Sequence, residues 1–262
     1  MKILIFFSIL IFAVQSSSQT SYKALTNEEE LSGQAFSRTI FIRAYTTSKN
    51  PDDAIRATGV ILKDGYLITN EHVLRPFLEG KTVSFQIFTQ GRIFHKFQDV
   101  FLLGCNQEND LCLLKTKNKY NDPYFTLSSP PFRTISSKTP LGLFKEEQLF
   151  FNGFCSGWPK YQKTKYVDYV KDGYIHSNHP YRKPNTPSLQ FADINGDSIA
   201  CGGDSGGPIY DQNLYLYGII RDFQNSTNDP KKARNYAVPM DIISKFFDEF
   251  KNKPLSKKIP TT

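Results

Sequence analysis

The sequence lacks the features that mark several large classes of protein. Its 16 glycines follow no three-residue period, which excludes a collagen helix. Its 32 Lys and Arg outnumber its 25 Asp and Glu but form no basic stripe with interleaved aromatic residues, so we expect no nucleic-acid partner. No apolar run beyond the first segment approaches the roughly 20 residues of a membrane span. The 262 residues, 39% of them hydrophobic, are instead typical of one or two globular domains.

The one long apolar run lies at the N-terminus. Lys2 precedes the apolar residues 3–14, which only Ser8 interrupts, and small polar residues follow as far as Ser18. A charged start, a short apolar core and a small-residue exit are typical of a secretory signal. We therefore expect cleavage to remove residues 1–18. The mature protein should be secreted or periplasmic, with no membrane span.

Cysteine is scarce, and its spacing is informative. The chain has four cysteines, none of them in a Cys-x-x-Cys pair, so we expect neither a structural zinc site nor any other metal. An even number in an exported protein indicates two disulfides, for which three pairings are possible. Residues 100–104 and 111–115 are predicted to pair as a hairpin. Such a hairpin would bring Cys105 and Cys112 across its mouth, within bridging distance.

Much of the chain consists of short apolar segments of the length of β-strands. Residues 57–62 and 66–69 flank Lys63-Asp-Gly65, and Asp-Gly between two apolar runs favours a β-hairpin. Residues 83–88 alternate with a period of two, as in a strand with one buried face. Turn-forming clusters separate further segments of this kind, so the pattern predicts an all-β sandwich or barrel.

Other segments depart from the strand pattern. Residues 117–140, rich in Pro, Ser, Lys and Asn, are predicted to link two halves, and residues 157–188 to form long surface loops. One helix is predicted over residues 240–251, with Asp241 as its N-cap. Residues 252–262 after it should fray. Apolar residues at helical spacing give the helix a single face for packing on the core: Ile243, Phe246, Phe247 and Phe250.

The segment Cys201-Gly-Gly-Asp-Ser-Gly-Gly-Pro208 surrounds a single serine with glycines. A nucleophilic serine needs a tight turn, so that neighbouring backbone N–H groups face a developing oxyanion. Glycine permits the dihedral angles of such a turn. We therefore interpret Ser205 as a catalytic nucleophile.

The order of the histidines in the chain restricts the partners of Ser205. All four precede it: His72, His95, His176 and His179. The α/β-hydrolases order their triad as serine, acid and histidine, so that arrangement is excluded, and the order histidine, aspartate, serine remains. His72 follows the end of a predicted hairpin strand, which is a rigid position for a general base. His95 is predicted to lie inside a strand, and the last two lie in the predicted loop.

The acid of a triad is expected between His72 and Ser205. Asp110 precedes the apolar strand that begins at Leu111. A buried carboxylate there can accept the imidazole N–H and fix its tautomer. Other aspartates of this interval lie in less regular or more polar surroundings: Asp99, Asp122, Asp168 and Asp193. The predicted triad is therefore His72, Asp110 and Ser205.

With these residues the chain resembles a trypsin-like serine protease of the chymotrypsin clan. Residues 58–74 and 110–115, with the later segments Gly218-Ile-Ile220 and Asn235-Tyr-Ala-Val-Pro239, are similar to the HtrA-type and bacterial trypsin-like branch. The resemblance implies an all-β chymotrypsin-like fold, with two antiparallel six-stranded β-barrels and a C-terminal helix. The active site would lie between the barrels.

The resemblance also implies a division of the chain. We expect an N-terminal extension at residues 19–36 and a peptidase domain at 37–251, followed by a flexible tail at 252–262. The barrels should span about residues 37–125 and 140–238, and the helix 240–251. No PDZ-like domain is expected after residue 251.

By the same resemblance, the backbone N–H groups of Gly203 and Ser205 form an oxyanion hole. Cys155 lies near a strand end that approaches the nucleophile loop in this family, which implies a disulfide between Cys155 and Cys201. This bridge would brace the loop that carries the nucleophile.

The substrate pocket departs from the trypsin pattern. Ile199 stands where trypsin has an aspartate for basic substrates, so a preference for Lys or Arg is not implied. Arg234 precedes a segment that can approach the primary pocket, where a cation would favour acidic substrate side chains. Arg221 occupies a position at which the family often has a serine near the triad.

The N-terminal region departs as well. Trypsin-like zymogens carry a cleavable basic residue before Ile-Val-Gly-Gly, whereas Phe36-Ser-Arg-Thr-Ile-Phe-Ile42 contains no such start. Asp204 matches the residue that receives the new N-terminal ammonium in that family, so it needs another partner. This favours a protease that is active without proteolytic activation.

These features predict a serine endopeptidase that hydrolyses protein or peptide substrates through an acyl-enzyme intermediate, with no cofactor. The alternative is a catalytically silent protease homologue that acts as a binding module. Such homologues usually lose a triad residue, and this chain retains all three predicted members.

Overall fold

A computed structural model of the chain describes residues 27–46, 54–90, 94–117, 148–170, 186–193, 195, 197–212, 214–224 and 234–262. The predicted signal at residues 1–18, the predicted linker beyond residue 117, and His176 and His179 lie outside these ranges.

Within the described ranges the chain forms three α-helices and fourteen β-strands. The helices are α1 (Asn27–Phe36), α2 (Glu71–Leu78) and α3 (Met240–Phe250). The strands are β1 (Thr39–Thr46), β2 (Ile55–Ile61), β3 (Tyr66–Thr69), β4 (Thr82–Gln90), β5 (Phe94–Lys96), β6 (Val100–Asn106), β7 (Leu111–Thr116), β8 (Gln148–Cys155), β9 (Trp158–Val170), β10 (Ser188–Ala192), β11 (Pro208–Asp211), β12 (Leu216–Gln224), β13 (Arg234–Pro239) and β14 (Lys257–Lys258).

The N-terminal half forms an antiparallel sheet of eight strands in the order β14-β6-β7-β3-β2-β1-β4-β5. The alternating apolar residues of its strands fill one core, and fully buried members include Ile40, Ile42, Phe85 and Leu114. The hairpin predicted around Lys63–Gly65 is present, with Val60 opposite Ile68.

The C-terminal half forms a closed barrel of six strands in the order β10-β13-β12-β11-β8-β9. Its core includes the fully buried Phe151, Phe191 and Tyr217. The predicted all-β, chymotrypsin-like fold class is therefore confirmed. The first sheet has eight strands rather than six, because the short strands β5 and β14 extend its two edges.

The loops predicted over residues 157–188 are wrong for residues 158–170, which form the long strand β9. This strand pairs with β8 from Trp158 to Lys165 and with β10 from Lys165 to Val170. The strand was not predictable from its composition, which is rich in lysine and tyrosine and has no apolar alternation. Hydrogen bonds to the two neighbouring strands stabilise it instead. Residues 171–185 lie outside the described chain.

Helix α3 joins the two halves. Its predicted apolar face is present, and buried Ile243, Phe246 and Phe250 share a cluster with residues of both sheets, among them Leu113 and Ile219. The predicted N-cap is wrong, since Pro239 rather than Asp241 occupies that position. No helix among the described residues is both long enough and apolar enough to cross a membrane.

Residues 252–262 do not fray as expected. Lys257–Lys258 pair with β6, Ile259 is fully buried in the core of the first sheet, and the backbone N–H of Thr262 donates to the carbonyl of Phe85 at 2.8 Å. The edge of β6 that does not pair with β7 offers hydrogen-bonding groups to the tail, and Ile259 supplies an apolar side chain to the core. Both effects hold the tail between β6 and β4.

Part of the predicted N-terminal extension is also ordered. Helix α1 packs its buried Ala35 near Tyr210 of the second barrel, and the Phe36 ring lies 5.9 Å from that of Phe154. The backbone N–H of Ser37 donates to the carbonyl of Gly33 at 3.2 Å, so the helix leads directly into β1.

Candidate active site

His72 is the second residue of α2, a helix that starts two residues after β3 ends. His72 follows a strand as predicted, but helix α2 was not predicted, since Pro76 in its interior is unfavourable for helices. Asn70 precedes the helix, and its side-chain amide donates to the carbonyl of Asp110 at 3.0 Å. The start of the helix is thereby tied to the next hairpin.

Asp110 binds His72 through both carboxylate oxygens. The backbone N–H of His72 donates to Oδ1 at 2.9 Å, and the ring Nδ1 lies 2.8 Å from Oδ2. The Asp110 side chain is 4% exposed, whereas that of His72 is 23% exposed. Because a carboxylate only accepts hydrogen bonds, Nδ1 carries the proton and the lone pair lies on Nε2.

Opposing effects act on the pKa of His72. Burial of the imidazole lowers its pKa, while the charge and hydrogen bond of Asp110 and the charge of Asp222 raise it. The charge of Arg75 lowers it again, but the pKa remains above its ordinary value of 6.5. The surroundings therefore favour the imidazolium that forms when a general base accepts a proton.

Asp110 lies in the turn between β6 and β7. Cys105 and Cys112 face each other across this hairpin with Cα atoms 4.1 Å apart, and the structure joins them as predicted. Asp110 adopts φ 54°, in the left-handed region that aspartate tolerates better than most residues. The disulfide thus closes the hairpin from which Asp110 reaches α2.

Ser205 lies in the turn between Cys201 and Pro208. Gly203 has φ 106°, and a Cβ there would clash with the carbonyl of Phe154, so only glycine fits. The backbone N–H groups of Gly203 and Ser205 donate to no other described residue. The Ser205 hydroxyl donates to the carbonyl of Arg221 at 3.4 Å.

Thr58 of β2 holds this turn against the first sheet. Its backbone N–H donates to the carbonyl of Ser205 at 2.8 Å, and its hydroxyl donates to the carbonyl of Gly203 at 2.7 Å. The hydroxyl of Thr69 donates in turn to the carbonyl of Thr58 at 2.7 Å, and His72 follows Thr69 by three residues. The structure thus brings the turn with Ser205 to the His72–Asp110 pair where the two halves meet.

The predicted pocket residues lie on two neighbouring segments. Ile199 is buried in the core of the second barrel, and its backbone N–H donates to Oδ1 of Asn235 at 3.1 Å. The same oxygen accepts from the hydroxyl of Ser198 and the backbone N–H of Ala200. Arg234 begins β13 opposite Gln224. The sequence analysis named Asn235 only as part of a strand. Its role in binding residues 198–200 was not predicted, although a polar residue inside an apolar strand was a signal for it.

Arg221 is a buried residue of β12, only 1% exposed. Its Nη2 donates to the hydroxyl of Ser188 at 2.5 Å, and its Nε lies 3.3 Å from Oδ2 of Asp222. Burial lowers the pKa of the guanidinium, while the charges of Asp222 and Asp110 oppose that shift. Arg221 therefore links β10 to β12.

These groups together are equipped for nucleophilic acyl transfer. The site offers a serine hydroxyl, an imidazole oriented by a carboxylate, and two backbone N–H groups without a partner among the described residues. Within the described ranges, no group of three His, Cys, Asp or Glu side chains is arranged to hold a metal ion. The fold and these groups define a chymotrypsin-like serine protease.

A comparison with known protein families supports this assignment to the serine proteases. The family model for trypsin matches residues 35–246. The chain therefore belongs to the trypsin family and is a serine endopeptidase. No curated protein matches the sequence significantly.

Solved structures of similar fold are HtrA-type and other trypsin-like proteases. The active form of the Rv3671c protease from M. tuberculosis aligns with a TM-score of 0.61 at 13% identity, covering 87% of this chain and 86% of that chain. The HtrA-type protease AlgW with tripeptide gives 0.60 at 17% identity, covering 86% of this chain and 63% of that one. Deg5 gives 0.58 at 17% identity, covering 84% and 91%. At these identities the likeness shows the shared fold.

Proposed function

We propose that the protein is a secreted or periplasmic endopeptidase that cleaves peptide bonds through an acyl-enzyme intermediate, with His72, Asp110 and Ser205 as its triad. The observation that carries this proposal is the double contact of the Asp110 carboxylate with the backbone and ring of His72. A carboxylate held in this way fixes the imidazole orientation that a general base needs.

The reaction follows from these positions. Ser205 Oγ attacks the scissile carbonyl carbon while Nε2 of His72 accepts its proton, and Asp110 stabilises the imidazolium. The oxyanion accepts hydrogen bonds from the N–H groups of Gly203 and Ser205. His72 then gives its proton to the leaving amine as the C–N bond breaks. A water molecule, deprotonated by His72, hydrolyses the remaining ester.

Export and substrate class belong to the same proposal. The signal-like residues 1–18 and the two disulfides favour an oxidising compartment outside the cytoplasm. Protein or peptide chains are the substrates, and the family resemblance assigns Ile199 and Arg234 to the primary pocket. An isoleucine in place of an acidic residue, together with an arginine, would favour acidic over basic side chains at the cleavage site.

Replacement of the nucleophile tests this function. Ser205→Ala should lower kcat on casein by a factor on the order of 10⁶, and His72→Ala should cost about as much, because triad members act as a unit. A fluorophosphonate should label Ser205 in the wild type only. Ser256→Ala, in the tail where the Ser256 hydroxyl donates to the carbonyl of Leu102, serves as the control and should retain activity.

The same experiment distinguishes an active protease from a catalytically silent homologue. A folded wild-type protein that neither cleaves casein nor takes up the label at Ser205 would support a silent homologue acting as a binding module. Near-normal turnover by Ser205→Ala would instead show that the nucleophile lies elsewhere.

A further inference from the structure

Asp204 is a buried carboxylate beside the proposed nucleophile. Its side chain is fully buried, and it packs so closely on β8 that a Cβ on Gly153 would clash with its Oδ1. Its Oδ2 accepts the backbone N–H of Cys201 at 3.0 Å. Oδ1 hydrogen-bonds to none of the described residues. A carboxylate in such a place is costly to ionise unless a cation is near.

Lys160 of β9 supplies that cation. Its Nζ lies 3.9 Å from Oδ2 of Asp204, and it donates a hydrogen bond to the carbonyl of Ile199. The Lys160 side chain is 25% exposed, and its ammonium lies 5.4 Å from the centroid of the Phe151 ring. One ammonium therefore contacts both ends of residues 199–204, the segment that leads into the nucleophile turn.

The ionisation of Asp204 depends on this neighbour. Burial raises the pKa of Asp204 to about 6, while the Cys201 N–H and the charge of Lys160 hold it down. Among the described residues, the other groups that face the carboxylate carry no charge, because β8 presents Gly153 and the turn presents the disulfide-bonded Cys201. Removal of the ammonium would therefore raise the pKa of Asp204 further.

We propose that Lys160 is a positioning residue whose ammonium keeps Asp204 ionised and holds residues 199–204 so that the N–H groups of Gly203 and Ser205 stay free for an oxyanion. The inference rests on the proposed function and names the ion pair that would keep the oxyanion hole in its active conformation. Lys160 takes the part of an N-terminal ammonium released by cleavage, which accords with the absence of an Ile-Val-Gly-Gly start.

The first test compares three lysine variants. Lys160→Met should lower kcat/KM by about tenfold or more, mainly through kcat, because oxyanion stabilisation is lost while substrate contacts remain. The acid limb of the pH profile of kcat/KM for Lys160→Met should move to higher pH. Lys163→Met removes the same charge from the same strand, where Lys163 pairs with Glu28, and should change neither quantity. Lys160→Arg keeps the charge and should recover most of the activity.

A double-mutant cycle asks whether Lys160 acts through Asp204. In the Asp204→Asn background no carboxylate remains to be neutralised, so Lys160→Met should cost little further activity. An equal loss in both backgrounds, or a Lys160→Met profile that matches Lys163→Met, would overturn the proposal. Thermal denaturation of each variant identifies any that is unfolded.

A third measurement needs no activity and so separates this inference from the proposed function. In the Ser205→Ala protein, carbon-13 NMR titration of the Asp204 carboxyl should give a higher pKa when Lys160 is Met than when it is Lys. An unchanged pKa would refute the role of Lys160 even if the wild type is an active protease. A raised pKa in a protein that never cleaves peptides would leave the ion pair standing and refute the function alone.

Discussion

At the scale of single residues, the Asp110–His72 contact is the most constrained part of the site. The carboxylate holds the ring through Nδ1 and the start of α2 through the backbone N–H, so the imidazole cannot turn away without losing a charge-assisted bond. The amide of Asn70 anchors the hairpin carbonyl of Asp110 as well. Asp110 lies 38 residues from His72 in the sequence. The pair was predictable because each residue lies next to the end of a recognisable apolar strand.

Asp110→Asn should therefore inactivate the enzyme without unfolding it. The amide keeps the shape of the carboxylate but presents a donor to Nδ1, which favours the tautomer that cannot accept the serine proton. The expected loss in kcat is on the order of 10⁴. The pKa of His72 should fall, since Asp110 raises it in the wild type. Because the base works in its neutral form, the acid limb of residual activity should move to lower pH.

Asp99→Asn is the matched control for that variant. Asp99 was the nearest alternative acid before Asp110, but it is paired with Lys258 at the surface, 2.6 Å away. Its replacement should leave the pH profile of kcat/KM unchanged. A large loss in Asp99→Asn with little loss in Asp110→Asn would contradict the assignment of the acid.

At the scale of elements, the two disulfides close chain segments of very different length. Cys105–Cys112 closes a hairpin with a separation of 7 residues, whereas Cys155–Cys201 links β8 to the turn that carries Ser205, with a separation of 46 residues. Next to the second bridge, the backbone N–H of Ser156 donates to the carbonyl of Gly202 at 2.9 Å. The second disulfide thus braces the segment on which the proposed oxyanion hole depends.

Removal of each bridge should have a distinct effect. Removal of a bridge increases the entropy of the unfolded chain, which predicts destabilisation of about 2 kcal/mol for Cys105→Ala with Cys112→Ala, and about 4 kcal/mol for Cys155→Ala with Cys201→Ala. The second pair should also lower kcat/KM at temperatures where the protein remains folded. Denaturant unfolding and casein hydrolysis check both effects. A greater loss of stability in the first pair, or unchanged activity in the second, would contradict this account.

Local signals explain which elements the sequence predicts. The Asp-Gly turn at Lys63–Gly65 and the apolar spacing of α3 each depend on nearby residues, and both are present. Strand β9 is different, because hydrogen bonds from β8 and β10 stabilise a segment that is polar in sequence. Lys160 lies on β9, so the contact of Lys160 with Asp204 could not be predicted from a sequence that indicates a loop at β9.

At the scale of the whole molecule, the two halves are joined by contacts distant in sequence. Thr58 of the first sheet binds Gly203 in the turn that carries Ser205, 145 residues away in the sequence. The tail runs back to the first sheet, where Ile259 fills the core. The family resemblance predicted two six-stranded barrels, whereas the described residues form one eight-stranded sheet and one closed barrel. The pairing of the tail with the first sheet depends on contacts distant in sequence, so it was not predicted.

The architecture at the N-terminus argues against activation by cleavage. Helix α1 continues into β1 through the hydroxyl of Thr39, which donates to the carbonyl of Ala35 at 2.8 Å, and through Arg38, whose Nη1 donates to the carbonyl of Gln34 at 2.7 Å. Thr39 is buried and pairs with Val60 on β2. A new N-terminus near Arg38 would have to leave this sheet before it met Asp204, which already has Lys160 beside it.

Protein that lacks only the predicted signal, residues 1–18, should therefore be active without a further cut. Mass spectrometry of the purified protein defines its N-terminus, and fluorophosphonate labelling with casein hydrolysis measures its activity before and after limited proteolysis. Arg38→Gln, which removes the basic residue that a trypsin-like activator would recognise, should keep kcat/KM within about twofold, as expected for a substitution away from the reacting groups. Activity that appears only after a cut near Arg38, and never in Arg38→Gln, would restore a zymogen mechanism. It would also require the new ammonium rather than Lys160 to be the partner of Asp204.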